Sequence, residues 1–227
     1  MAEISVREAA RRLGISERRT REMLRGQELV GRQIDGHIWQ IDATSVQDRA
    51  RADAGNGRPW ADHTVEAIVE ALSDGIKIDP KSAYRLRRTE TNQLWRKIAQ
   101  AFTVRRYNAR NLDTLHPHLA LTGESAIEQI GERLVGQARS LHGYLHGMSL
   151  QEFIDEAGLV AAGDGDLVVY QLRSGGMYDG GASWIGDEYA RRALIAVDCA
   201  RSASTRVRST GIRALDEMRN TWLATSI

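Results

Sequence analysis

The chain contains one cysteine, Cys199, which excludes an intramolecular disulfide framework. No apolar run reaches the 18 or so residues a membrane-spanning helix needs. The first residues, MAEISVREAARR, lack the apolar core of a signal peptide. These absences predict a protein with no membrane association, in a reducing, cytoplasmic setting. Lysine is scarce as well, standing only at 77, 81 and 97, so arginine carries nearly all the positive charge. A GC-rich coding bias produces the same skew, and arginine number by itself says nothing about function. Hydrophobic residues make up 42% of the 227, enough for a packed core and enough length for two small domains.

Motifs of catalysis are missing too. Gly175-Gly176 and Gly180-Gly181 do not make a phosphate-binding loop, and Asp164-Gly165-Asp166 has no calcium-loop continuation and reads as a turn. His116 and His118 flank Pro117. His142 and His146 lie four apart on an expected helix, but no third ligand accompanies them, so no metal site is expected. Cys199, placed at the end of an expected strand with no histidine nearby, reads as a buried structural thiol. The expectation is a non-enzyme with no cofactor.

Charge is segregated, although the net value is only +1. Residues 1–60 carry about +2, 61–76 about −4, 77–110 about +8, 111–200 about −8 and 201–227 about +3. The field a nucleic acid meets is local, so a near-neutral total does not argue against such a partner.

The first sixty residues are the most informative. Ser5-Val6-Arg7-Glu8 has the form of a helix-capping box, and Val6, Ala9, Ala10 and Leu13 follow at helical spacing before Gly14. Ile15 plugs the turn, and Ser16 can cap a second helix that closes at Gly26. On it Thr20, Met23 and Leu24 share one face, while Arg18, Arg21, Glu22 and Arg25 point the other way. Residues 29–34 and 37–41 then flank Asp35-Gly36, a hairpin signal, and Asp42 can cap a short third helix. Helix, turn, helix and hairpin in this order is the spacing of a winged helix-turn-helix.

Arginine forks can grip the O6 and N7 acceptors of guanine, so Arg18, Arg21 and Arg25 are candidates for base or phosphate contact, with Arg19 beside them. Glu22 can accept from cytosine. Arg32 and His37, near the hairpin tip, would meet phosphate or the minor groove. The competing reading is a solvated helix face with arginines paired to Glu17 and Glu22. Trp39 is expected as a plug beneath the hairpin.

Beyond residue 50, ARADAGNGRPW has no apolar periodicity, so the chain is expected to divide into residues 1–53, a linker at 54–60 and a second domain at 61–227. Residues 63–72 read as an amphipathic helix, and Asp79-Pro80 opens another. In the basic block 77–110, Leu86, Leu94, Trp95, Ile98 and Phe102 sit at helical spacings, giving a buried helical face with a cationic exterior. That exterior could still meet DNA phosphates or an acidic partner. Residues 121–126 lead into a helical run, as do 145–157, whereas 166–172 and 193–198 are strand-like, separated by a glycine-rich loop. Ile212, Leu215, Met218 and Leu223 mark the inner face of a final helix. The fold class expected is α+β, a winged helix-turn-helix followed by a mainly helical α/β domain.

The stretch EAARRLGISERRTREMLRGQELVGRQIDGHIWQID resembles the excisionase/MerR-type winged helix-turn-helix. The later order of Gly57-Arg58-Pro59, Tyr84–Arg88, Leu121–Ala126 and Ala196–Ser202 resembles the AbiE-type (abortive infection) antitoxins, a likeness that spans nearly the whole chain. The glycine-rich loop at 174–186 departs from that pattern. The resemblance implies an antitoxin that represses its own operon on double-stranded operator DNA and neutralises a nucleotidyltransferase-like toxin. A homodimer would suit repeated half-sites. The alternatives are an effector-sensing transcriptional regulator, and an excisionase-like architectural protein that bends DNA.

Overall fold

The computed structural model describes residues 3–26, 28–36, 38–53, 57–132, 140–173 and 184–225. It is a mixed α+β structure with two sheets and two separate hydrophobic clusters. No described helix is long and apolar enough to cross a membrane.

The N-terminal unit begins with strand β1 (Glu3–Ser5), helix α1 (Val6–Leu13) and helix α2 (Glu17–Arg25). Ser5 and Ser16 cap the two helices, accepting from the amides of Glu8 and Arg19 at 3.2 Å each. The Glu8 carboxylate does not complete the expected capping box; it binds Arg11 and Arg12 at 2.7 and 2.8 Å. Gly14 ends α1 with φ 66°, the left-handed conformation that glycine adopts without strain. Strand β2 (Gly31–Ile34) and strand β3 (Ile38–Asp42) form the hairpin, and β1 adds to β3 as a third strand that the sequence did not announce. Asp35 and Gly36 both have positive φ, but Ile34 pairs with Ile38, so the loop holds three residues rather than two. Asp42 caps α3 (Ala43–Asp53) through the amides of Thr44 and Ser45 at 2.8 and 2.9 Å. Val6, Ala9, Met23, Leu24, Leu29, Ile41 and Val46 make the core of this unit, with Trp39 packed at its edge.

Next come α4 (Asp62–Asp74), α5 (Pro80–Arg88) and α6 (Thr91–Ala99). Asp79 caps α5 through the amides of Lys81 and Ser82. The second sheet then opens with β4 (Phe102–Asn108), where a helical continuation was expected. Phe102 does share a core with Leu94, Trp95 and Ile98, and that is why its spacing looked helical, yet it packs from a strand.

The sheet is completed by β5 (Leu119–Leu121), β6 (Leu141–Leu145), β7 (Val160–Ala161) and β8 (Leu167–Leu172), in the order β5-β6-β8-β4-β7. Among the described strands only β6 and β8 pair in parallel. Helix α7 (Leu150–Ala157), with its own capping box at Ser149 and Glu152, lies in the crossover between them. The expected helical run at 145–157 is therefore strand end, turn and helix.

The expected strand at 193–198 is instead α8 (Arg192–Arg201), in which every residue from Ala193 to Ala200 is buried. A helix buried all round has no polar stripe, and its apolar run imitates a core strand. Cys199 sits on this helix, not at a strand end. The last helix, α9 (Thr205–Thr225), crosses α8 so closely that a Cβ on Gly211 would lie 2.4 Å from the Ala196 carbonyl. Leu215, Met218 and Trp222 are its deepest large residues, whereas Ile212 and Leu223 are only partly buried. Residues 174–183 of the glycine-rich loop, and 54–56 of the expected linker, lie outside the described residues.

The two units meet where α3 packs on α6 and α8, and again beside β4. The Arg105 guanidinium donates to the Gly26 carbonyl at 2.8 Å, placing a cation at the C-terminal end of α2 where the helix dipole is negative. Gly163 approaches so closely that a Cβ there would stand 2.1 Å from the Asp42 carboxylate.

Candidate nucleic-acid interface and the junction behind it

On α2, Thr20, Met23 and Leu24 are buried and hold the helix by one face. Arg18, Glu22 and Arg25 follow at helical spacing on the other, with Arg21 one turn from Arg18 and Arg25. The Arg18 side chain is 89% exposed, and its contact to Glu22 is a loose 3.7 Å. Arg21 bonds Glu17 at 2.9 Å, and Arg25 is exposed near the junction with Arg105. Arg18 and Arg21 do pair with carboxylates, but within one helix at the surface, where such pairs are weak and exchangeable.

Arg19 reaches beyond this face. It is exposed and contacts Glu22 at 3.4 Å and Glu28 at 3.5 Å, so it bridges the outer face and the junction. Arg32, on β2, is held by Glu3 at 2.9 Å and by Gln40 at 2.9 Å, which keeps the Glu3 carboxyl below the usual carboxylate range. It is thus a cross-strand fastener of the three-stranded sheet. His37 lies outside the described residues, while its neighbour Ile38 is exposed. The structure gathers Arg18, Arg21, Glu22 and Arg25 into one patch and leaves Arg19 and Arg32 with structural partners.

Behind the patch is a site that no short motif announced. A cavity of about 180 Å³ lies where the N-terminal unit rests on the second sheet. Glu28 and Arg49 face it from one side, Arg106 and Arg173 from the other, and Glu124 and Arg201 from a third. Glu28 is a hub, contacting Arg49 at 3.3 Å, Arg19 at 3.5 Å and Arg173 at 3.7 Å. The Arg173 fork also donates to the carbonyls of Gln100 and Phe102 at 3.0 and 3.4 Å.

The floor is built from buried polar groups. Asp198 accepts from the Tyr144 hydroxyl at 2.7 Å and the Thr122 hydroxyl at 2.8 Å, and pairs with Arg201 at 3.4 Å. Burial pushes its carboxyl up to about 6, against the opposing pull of Arg201 and the two hydroxyls. Expected on a helix, His142 lies instead on β6, its ring nitrogens 2.8 Å from the Ser140 hydroxyl and 3.2 Å from the Tyr170 hydroxyl. Burial, and secondarily Arg106, lowers it to about 3, so the imidazole is neutral near pH 7. The Arg201 guanidinium also stacks 5.4 Å from the Tyr170 ring centre.

This floor can orient hydrogen bonds. Among the described residues no cluster of three His, Cys, Asp or Glu side chains has metal-holding geometry. The Cys199 thiol is buried and pushed up by desolvation, which keeps it protonated. The sequence signal for the floor was faint: Asp198 stood as an isolated carboxylate within an otherwise apolar run. No protein-family model matches the chain, and no curated protein or solved structure matches it either. The functional reading therefore rests on the residues and their arrangement.

Proposed function

We propose that this chain is a DNA-binding transcriptional regulator of the antitoxin type. In this reading residues 3–53 act as a winged helix-turn-helix, α2 enters the major groove, and the β2–β3 hairpin is the wing. The observation that supports it most is the stripe of exposed Arg18 and Arg25 with half-buried Arg21, opposite the buried Thr20, Met23 and Leu24. Phosphate oxygens replace the weakly held carboxylates of Glu17 and Glu22, and a bidentate arginine selects guanine. Arg32 holds the wing to β1 and meets phosphate only as a secondary role. No catalytic step is part of this reading.

The remainder of the chain binds a protein toxin of the nucleotidyltransferase type. Its acidic surface supports this: Glu152, Asp155 and Glu156 are all exposed on α7, complementary to a cationic groove. Fluorescence anisotropy with a duplex from upstream of its own gene tests the DNA half. Binding should weaken with salt at a log–log slope of about −0.9 per phosphate neutralised. Absence of binding at low salt would sink it. Co-expression with the neighbouring genes tests the toxin half, since a stoichiometric partner should co-purify and be released by charge reversal on α7.

A further inference from the structure

The junction cavity has the composition of a ligand site rather than of a packing defect. An empty void is lined by apolar groups and stays dry, whereas a polar cavity holds water or a ligand that displaces it. Here Arg49, Arg106, Arg173 and Arg201 line a partly open cavity together with Glu28, Glu124 and Asp198. Among the described residues the lining carries four guanidinium groups and three carboxylates, and Arg49, Arg106 and Arg173 have further partners besides. The neutral imidazole of His142 and the hydroxyls of Ser140 and Tyr170 add uncharged donors and acceptors, while Val30 and Val104 supply apolar wall.

Size narrows the ligand. A void of about 150 Å³ accommodates benzene, so a cavity of about 180 Å³ takes a molecule only a little larger. That is the size of a small organic acid or phosphate ester. The exposed residues of the lining are Arg173, Ala203 and Ser204, and the last two carry small side chains that can be enlarged into the cavity.

We propose that this cavity binds a small anionic metabolite, its carboxylate or phosphate held by the arginines of the junction, and that occupancy adjusts how residues 3–53 rest on the second sheet. The link is Glu28. It reaches Arg173 across the junction at 3.7 Å and Arg19 on α2 at 3.5 Å. A ligand anion competes with Glu28 for Arg173 and Arg49, and the longest of the Glu28 contacts is the one that crosses the junction. Binding thus loosens the seat of the helix that carries Arg18 and Arg21. By linkage, DNA must change ligand affinity by the same factor that ligand changes DNA affinity. The binding half stands independently of DNA; only the regulatory half rests on the function proposed above.

The test uses the full chain, with succinate and inorganic phosphate as probes at constant ionic strength set by sodium chloride. Thermal unfolding and calorimetric titration are compared between the wild type and Ala203→Trp, which enlarges a small lining side chain into the cavity without deleting a hydrogen bond. Ser204→Tyr serves as a second filling variant should the first fail to give the wild-type circular dichroism spectrum. A saturable rise in melting temperature with either probe, lost in the filled variant, is the expected result. Succinate alone identifies a carboxylate ligand, and phosphate alone a phosphate ester. No saturable effect of either probe, or the same effect in wild type and filled variant, overturns the site. For the regulatory half, the effective probe should change duplex affinity by about fivefold or more, and Glu28→Gln should abolish that change. Ligand binding with unaltered DNA affinity overturns the regulation but not the site. Failure to bind DNA with the ligand still bound overturns the proposed function and leaves the site standing.

Discussion

Arginines appear in two settings here, and the contrast explains what each can do. On the outer face of α2 the Arg18 side chain is 89% exposed, whereas in the junction Arg49 and Arg201 are only 12% and 13% exposed. The outer arginines bond carboxylates of their own helix, in water, where a phosphate can take the carboxylate's place at little cost. The inner ones meet a buried aspartate, backbone carbonyls and a carboxylate from across the junction. There, loss of one partner strands a charge out of water. Identical side chains therefore serve exchange on one surface and architecture on the other.

The sharpest way to break this comparison is to remove one arginine from each setting. Arg201→Ala leaves the Asp198 carboxylate buried with only two hydroxyl donors, and should destabilise the fold by about 3–5 kcal/mol in urea unfolding. A loss below about 1 kcal/mol would mean that Tyr144 and Thr122 suffice, and that the inner arginine is not architectural.

Arg21→Ala should do the reverse. Its stability should stay within about 0.5 kcal/mol of the wild type, while specific duplex binding weakens by about 1–3 kcal/mol if the side chain reads guanine. Equal weakening on random duplex would reassign it to phosphate. Arg19→Ala separates the settings within one helix. Because Arg19 faces Glu28, its loss should disturb stability more than Arg21→Ala does and sequence preference less.

The floor of the junction gives a smaller, pH-resolved effect. Asp198 is raised from 3.8 to about 6, so the folded chain keeps a proton that the unfolded chain has released. That contribution is present below about pH 4 and is lost as pH rises to about 6. His142 is lowered from 6.5 to about 3, so its contribution is present above about pH 6.5 and is lost as pH falls toward 3. Between about pH 4 and 6 the two slopes oppose, and the wild type should be nearly flat in this respect. Asp198→Asn removes one slope, and its stability should climb with pH by up to about 1.4 kcal/mol per unit relative to the wild type. Parallel profiles would show that Asp198 does not carry the proton.

These two settings were not equally legible in the sequence. The α2 face could be read because helical spacing, serine caps and Gly14 are local signals, and the buried Thr20, Met23 and Leu24 fell where that spacing put them. The hairpin was legible from Asp35-Gly36, but its third strand was not, because the β1 pairing of Ile4 with Ile41 is long-range. The α8 segment reads as a strand in sequence because a wholly buried helix and a core strand share one apolar pattern. The junction was invisible for a different reason: Arg106, Arg173 and Asp198 are far apart in sequence and are brought together by the folding of the second unit, and Glu28 joins them only when the N-terminal unit packs against it. Arg19 could be placed on the helix but not aimed, since its partner Glu28 lies beyond the helix end.

The subtlest prediction concerns the carboxylates of the outer face. Glu17 lies in the first turn of α2, favourably placed against the helix dipole, and bonds Arg21 at 2.9 Å. If the outer arginines are free to exchange partners, Glu17 competes with DNA phosphate for Arg21. Glu17→Gln should then tighten duplex binding by about twofold at low salt, even though it removes a favourable charge from the helix and slightly lowers the melting temperature. The two effects have opposite signs, which a merely damaged helix cannot produce. Affinity and stability falling together would show instead that the Glu17–Arg21 pair positions the arginine for DNA. The outer face would then be preorganised, as the junction is, and the division between exchange and architecture would not hold for this helix.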